Sequence, residues 1–248
     1  MLAILTYHSI DDSGSVVSVA PKTFAEQMGA LAESGFRGIS LSEALAYRDA
    51  HKQWPEACAV LTFDDGFANF YETAMPEIAR HNFTATVFVI SGHVEGHNDW
   101  DAPPSGLGSQ RMLTWRQVKE LSEQGIEIGG HTRTHPDLRR LSEKEIEEEI
   151  AGGCAEISDQ AGRAVENFAY PYGYLNRQAE EVVRRTIRSA CTTELRRASN
   201  EPLHQLPRVD MYYLQSPQQL QSLVTGKLDG YLTVRRWGRV IRQAMAGN

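Results

Sequence analysis

Short apolar runs recur along the chain and alternate with stretches whose apolar positions repeat at helical spacing. Residues 2–7, 58–63, 85–90, 126–129, 167–170 and 187–192 are the strand candidates, with a seventh near 206–211. Several are apolar throughout for four to six residues, as strands covered on both faces are. The intervening segments carry helix starts. Thr23-x-x-Glu26, Ser40-x-x-Glu43, Thr114-x-x-Gln117 and Ser142-x-x-Glu145 all match the capping-box pattern, in which a hydroxyl satisfies an orphan N–H and the third residue reaches back. Val118 and Leu121 follow Thr114 at helical spacing, and Ile146 and Ile150 follow Ser142. The run Glu147-Glu148-Glu149 reads as a solvated helix face near the positive end of the helix dipole, not as a metal site.

Strand and helix in alternation imply a parallel sheet. About seven such units in 248 residues suit one α/β domain, a barrel either complete or distorted. Residues 91–112 break the rhythm: rich in Gly, Pro, Asn and Asp, they read as a long loop on the active face.

Composition narrows the picture. Lys and Arg number 25 against 32 Asp and Glu, a formal charge of −7, which argues against non-specific nucleic-acid binding. The three cysteines, Cys58, Cys154 and Cys191, form no CxxC and are expected as buried free thiols, which favours a reducing compartment. The opening apolar stretch has no basic residues before it and acids at once after it, so neither a leader nor a membrane span is expected there. The expected location is cytoplasmic.

Candidate chemistry sits at strand ends. Leu61-Thr62-Phe63-Asp64-Asp65-Gly66 runs an apolar strand into two carboxylates. In a parallel α/β fold that end carries the active site. Neighbouring residues on an extended chain point oppositely, so the two carboxylates can do two jobs; an Asp-Gly turn with a helix-capping Asp gives the same letters. Ile126-Glu127-Ile128-Gly129-Gly130 leads into His131-Thr132-Arg133-Thr134-His135-Pro136. Two histidines four apart can reach one metal from a helical turn or a tight loop. Two His and one carboxylate make a three-ligand site for a divalent metal with an open position. Phe168-Ala169-Tyr170-Pro171-Tyr172-Gly173 ends a third strand in a turn whose N–H groups can hold an oxyanion. Tyr7-His8-Ser9-Ile10 ends the first strand, where His8 is either a general acid or a hydrogen-bonded structural histidine.

Together these four sites resemble the polysaccharide deacetylases, the NodB-homology domain of carbohydrate esterase family 4. Thr62-Phe63-Asp64-Asp65-Gly66 is similar to the family's first motif, His131-Thr132-Arg133-Thr134-His135 to its second, and Phe168-Ala169-Tyr170-Pro171-Tyr172-Gly173 to its third. The resemblance covers residues 1 to about 210. It implies a distorted (β/α)7 barrel over residues 1–230, followed by a basic amphipathic segment over 231–248. It implies Asp64 as base, Asp65, His131 and His135 as metal ligands, and the Tyr172 N–H at the oxyanion. Tyr170 and Arg208 are the expected substrate contacts. The implied cofactor is a divalent ion, zinc first, with cobalt, nickel or manganese as alternatives. The implied reaction is removal of N-acetyl groups from N-acetylglucosamine-type saccharides by metal-activated water. An O-acetyl esterase for xylan or another glycan, a hydrolase of a non-sugar amide, and an inactive glycan-binding relative are the alternatives.

Two departures stand out. The family's third motif usually carries an arginine that orients the base, and Ala169 stands in the matching region. Arg208 and Arg111 are the candidates to replace it. The late motif with the acid histidine has no copy near the C-terminus, so the chain resembles the circularly permuted branch of poly-N-acetylglucosamine deacetylases. There the N-terminal Tyr-His-x-Ile segment takes the acid role, which here means His8; His204 competes but follows no apolar strand. Residues 233–242 add four arginines and no acid, with Val234, Trp237 and Ile241 on one helical face. That face either packs on the barrel or rests on an anionic membrane at its inner surface.

Overall fold

The structure, a computed structural model, describes residues 1–101 and 104–246. Its ten strands are β1 (Ala3–Tyr7), β2 (Ser9–Ile10), β3 (Ser18–Val19), β4 (Arg37–Ile39), β5 (Cys58–Phe63), β6 (Thr86–Val89), β7 (Glu127–Gly130), β8 (Asn167–Ala169), β9 (Ser189–Cys191) and β10 (Val209–Asp210). The helices are α1 (Pro21–Glu33), α2 (Leu41–His51), α3 (Met75–Arg80), α4 (Trp115–Glu123), α5 (Glu143–Glu147), α6 (Gly153–Ala161), α7 (Arg177–Thr186), α8 (Pro217–Val224) and α9 (Asp229–Ala246).

The main sheet runs β10-β1-β5-β6-β7-β8-β9, with β4 beside the first half of β5, and every pairing in it is parallel. The sheet curls into a distorted (β/α)7 barrel forming one α/β domain. Its two ends meet where Leu206 bridges Cys191 just before β10 begins. Leu206 N donates to Ala190 O at 2.9 Å and Thr192 N to Leu206 O at 2.8 Å, which stitches this seam.

Alternation along the strands sorts side chains onto two faces. Ala3, Leu5 and Tyr7 of β1, with Ala59, Leu61 and Phe63 of β5, join the core shared with the helices. Their neighbours Ile4, Val60, Phe88, Ala169, Cys191 and Leu206 face one another across the barrel. Gly129 makes room here: a Cβ on it would lie 2.5 Å from the Phe88 ring. Below that belt, Glu127 closes the floor. It accepts from Ser42 N at 2.9 Å, Ser42 Oγ at 2.8 Å, Thr86 Oγ1 at 2.7 Å and Asn167 Nδ2. The start of α2 is thereby pinned to three strands.

All seven strand candidates exist: β5 matches its run to the residue, β7 is shifted by one, and the others are one to four residues shorter than their runs. Thr114 and Ser142 form full capping boxes. Ser40 caps α2, but the Glu43 carboxylate turns to Arg37 and Thr84 instead of reaching back. Thr23 caps nothing. Pro21 opens α1 behind Ala20, because a first-turn proline already has helical φ and no N–H to satisfy. Within 91–112 the described residues pack, with Trp100, Leu107 and Met112 against Phe67, Ile90 and Val17. Cys154 and Cys191 are buried and Cys58 is half-buried; all three are free. At the C-terminus, Leu232 packs on the barrel while Val234 is 71% and Trp237 60% exposed. Ile241 lies outside the residues whose side chains are described.

Removing the floor acceptor should be costly, because several donors lose their partner at once. Glu127→Ala is expected to lose about 2 kcal/mol, read as a fall of about 4–8 °C in Tm. A melting curve matching the unmodified chain would contradict this role.

Candidate active site

The parity that turns Val60 inward also turns Thr62 and Asp64 inward. The chain then leaves the extended region: Asp65 has φ +72° and Gly66 +83°. This left-handed turn, rather than strand alternation, separates the two carboxylates. Asp64 points toward Arg208 and His8, and Asp65 toward His131 and His135.

His131 directly follows β7, where its N–H donates to Val89 O at 2.9 Å. Its Nδ1 lies 2.7 Å from Ala169 O, which turns Nε2 into the site. The next residues form a loop with left-handed Thr132 (φ +65°) and His135 (φ +60°). Glu149 clasps that loop, accepting from Arg133 N at 2.9 Å, Thr134 N at 2.8 Å and Thr134 Oγ1 at 2.7 Å. Glu147 and Glu148 are solvated as expected; Glu149 is half-buried, because the histidine loop folds back over it. Tyr172, in the turn after β8, is also left-handed at φ +59°. Each such residue costs about 1–2 kcal/mol, and clusters of them mark functional turns.

Asp65 Oδ1 lies 3.3 Å from His131 Nε2 and 3.6 Å from His135 Nε2. The three candidate ligand atoms all fall within 4.8 Å of one another, and all three residues are buried. Ligands at about 2.1 Å around one tetrahedral ion stand about 3.4 Å apart, so this donor set fits a borderline divalent metal. Burial alone would raise both carboxyls. At Asp64 the charges of Arg208, His131 and His8 overcome it and hold the group well below the usual carboxylate range. At Asp65 the His131 hydrogen bond and the charges of His135 and His8 do the same. Burial pulls His135 down to about 3 against the attraction of Asp65, leaving a neutral imidazole with a lone pair to offer. His131 is raised: burial opposes this, but the Asp65 hydrogen bond and the two carboxylate charges win.

Arg208 comes from the barrel seam, where its N–H donates to Glu194 O at 3.1 Å. Its guanidinium grips Asp64 with both ends, Nη1 to Oδ1 at 2.6 Å and Nη2 to Oδ2 at 2.7 Å. It also donates to Thr62 Oγ1 at 3.1 Å and Thr192 O at 3.1 Å. Arg208, not Arg111, is thus the arginine that holds Asp64. The expectation that it binds substrate is corrected: it is 2% exposed and its guanidinium makes four hydrogen bonds inside the barrel. Tyr170 is corrected likewise. Ala169 faces the lumen, so Tyr170 faces the helices, fully buried, with its hydroxyl donating to His204 O at 3.2 Å. Arg111 pairs with Glu72 at the surface. His204 Nε2 meets Ile187 O at 3.0 Å, away from the site. His8 Nε2 is 3.9 Å from Asp64 Oδ2, with 19% of its side chain exposed; it arrives beside β5 because β1 pairs with that strand. Arg208 was readable as one of two substitutes and as a substrate contact; Trp100 and Asp101 were readable only as part of the loop on the active face, and Glu149 only as part of a solvated helix face.

A parallel barrel with an arginine-held carboxylate beside a buried two-histidine, one-carboxylate cluster that could hold a metal ion has the layout of a hydrolase. The chain belongs to the polysaccharide deacetylase family, whose profile, described as "Polysaccharide deacetylase", matches residues 51–187. It is 29% identical over 201 residues to YxkH of Bacillus subtilis (strain 168), a protein named for this family, covering 81% of this chain and 67% of that one. It is 25% identical over 177 residues to the poly-beta-1,6-N-acetyl-D-glucosamine N-deacetylase of Staphylococcus aureus (strain MSSA476), covering 68% of this chain and 58% of that protein. Among solved structures, the Streptococcus pyogenes deacetylase PplD in complex with acetate superposes with TM-score 0.77 at 25% identity, covering 90% of this chain and 97% of that one.

The Asp64 charge is stabilised only in the folded state, so its contribution is complete above the ordinary carboxylate value near pH ~4 and drains away as pH falls through the depressed value. Arg208→Met should cost about 3–5 kcal/mol at neutral pH by stranding that charge. Adding Asp64→Asn should return part of the loss, and the deficit should narrow in acid. Urea unfolding at pH 7 and pH 3 checks this; a double variant no more stable than the single would refute the pairing.

Proposed function

We propose that this chain is a metal-dependent N-deacetylase for N-acetylglucosamine-type saccharides, either polymeric or lipid-linked. The observation that carries the reading is the Arg208-held Asp64 carboxylate next to the Asp65, His131 and His135 donor set. It also speaks against an inactive relative, since the arginine absent from the third motif is supplied from the seam. The name of the staphylococcal relative supports an N-acetylglucosamine polymer, and acetate in PplD supports deacetylation.

Asp65, His131 and His135 would hold the ion. Zinc suits two nitrogens and one carboxylate, and cobalt, nickel or manganese would also fit. Such an ion would supply Lewis acidity toward an acyl oxygen and toward water. The rest is done by the chain. Asp64, kept ionised, accepts the proton of the attacking water. Arg208 holds both its oxygens, so the carboxylate keeps one orientation. The Tyr172 N–H donates to the oxyanion that forms on the acyl carbon. His8 gives a proton to the departing nitrogen. Water and the amide become acetate and a free amino sugar.

We also propose that α9 rests on an anionic membrane at its inner face. The exposure of Val234 and Trp237 supports this, as do four arginines and no acid over residues 233–242. Arg235 stacks over Tyr213 and Arg236 pairs with Glu194, which roots the helix on the barrel. Among the described residues no helix is long and apolar enough to cross a membrane.

Acetate release from N-acetylglucosamine oligomers, lipid-linked sugars and acetylxylan, measured with metal content, tests the enzymatic reading. Asp64→Asn should abolish turnover and keep metal, His131→Ala should lose metal, and His8→Ala should lower kcat by about 10²–10⁴-fold with metal retained. Preference for acetylxylan would replace the substrate class; full activity in Asp64→Asn would remove its role. Separately, the full chain should float with anionic vesicles and stay behind with zwitterionic ones. A chain ending at residue 232 that floats equally well would end the membrane reading.

A further inference from the structure

The two histidines of the centre are anchored differently. His131 Nδ1 meets a strand-end carbonyl, Ala169 O, at 2.7 Å. His135 has no such anchor. Its Nε2 faces Asp65, so Nδ1 is turned away, and there it lies 3.2 Å from the Tyr172 hydroxyl. That hydroxyl lies 3.2 Å from Asp101 O, in the long loop between β6 and α4. The His135 ring is also held from two sides. The Tyr172 ring meets it edge-on at 4.6 Å, and the Trp100 ring lies 5.0 Å away. Trp100 belongs to the loop's own apolar cluster with Phe67, Ile90, Leu107 and Met112. One ligand is therefore fixed to the sheet and the other to a loop.

We propose that the Tyr172 side chain is a positioning residue for the metal centre, and that through it metal binding and the order of the loop around Trp100 and Asp101 are coupled. The inference rests on the metal reading above. The proton count is consistent. When Nε2 gives its lone pair to a cation, the imidazole proton sits on Nδ1 and donates to the Tyr172 oxygen. The phenol then donates its own proton to Asp101 O. Each hydrogen bond has one donor and one acceptor, and no group changes charge. Partners of this kind fix ring orientation and ligand basicity, and losing one typically weakens metal binding about 10–100-fold. Coupling is reciprocal, so whatever steadies His135 through the loop is steadied by metal in return.

Tyr172→Phe keeps the ring, the left-handed backbone and the N–H assigned to the oxyanion, and removes only the hydroxyl. Metal-free protein would be titrated with Zn²⁺ and, spectroscopically, with Co²⁺, and hydrogen exchange followed in peptides covering residues 96–101 with and without Zn²⁺. The expected result is affinity about 10–100-fold weaker in Tyr172→Phe, an altered Co²⁺ spectrum, and an unchanged Tm of the metal-free protein. In the unmodified chain Zn²⁺ should slow exchange across 96–101, and in the variant it should do so less. Equal affinity in the two proteins, or a Zn²⁺-binding chain whose loop exchange does not move, overturns the coupling and leaves the metal site standing. An unmodified chain that binds neither ion overturns the metal reading itself.

Discussion

Arg208 carries a full charge into a barrel that leaves it 2% exposed. Withdrawing an ion from water costs several kcal/mol, recovered only with close, complete pairing. The two-ended grip on Asp64, with Thr62 and Thr192 taking remaining donors, meets that demand. The pair spans the seam as well as the site: Arg208 belongs to the segment that joins β9 to β10, and Asp64 to the end of β5. The same contact that orients the Asp64 carboxylate therefore ties the barrel's closure to its central strands. Neither partner is tolerable there alone.

The site is otherwise built from turns in which the backbone departs from its easy regions. Asp65, Thr132, His135 and Tyr172 all have positive φ without being glycine. Such turns persist only where surroundings over-determine them. Here the surroundings are specific: Glu149 across the histidine loop, Thr132 Oγ1 receiving His135 N at 3.0 Å, and Ala169 O behind His131. The donor atoms converge because the main chain is held in shape, not because the side chains reach.

Much of this was legible in the letters, and the failures have physical causes. Parallel strands covered on both faces appear as apolar runs, so residues 58–63 read correctly to the residue. β4 did not, because Arg37-Gly38-Ile39 is too short and too mixed to form a run. The strand-end position of Asp64, Asp65, His131 and His135 was readable, since a parallel fold puts all such ends on one face. The partner of Asp64 was not, because Arg208 is brought to it by barrel closure, which no local pattern encodes. Glu149 looked like one more acid on a wet helix face, since nothing local says that a loop will turn back onto it. Tyr170 was a different kind of miss. The alternation that sends Ala169 into the lumen sends the tyrosine to the helices, and that parity was available.

The position of β1 has a consequence for how the chain is made. Leu5 pairs with Leu61 on one side and with Val209 on the other. Of the barrel's strands β1 is made first and lies internal to the sheet, yet its neighbour β10 is made after all the others. Until β10 arrives, an apolar strand waits with one edge unpaired, a long-range pairing of the sort that slows folding and exposes a surface for wrong partners. His8, at the end of that strand, is translated early, but its place beside the Arg208–Asp64 pair is completed only when the seam closes.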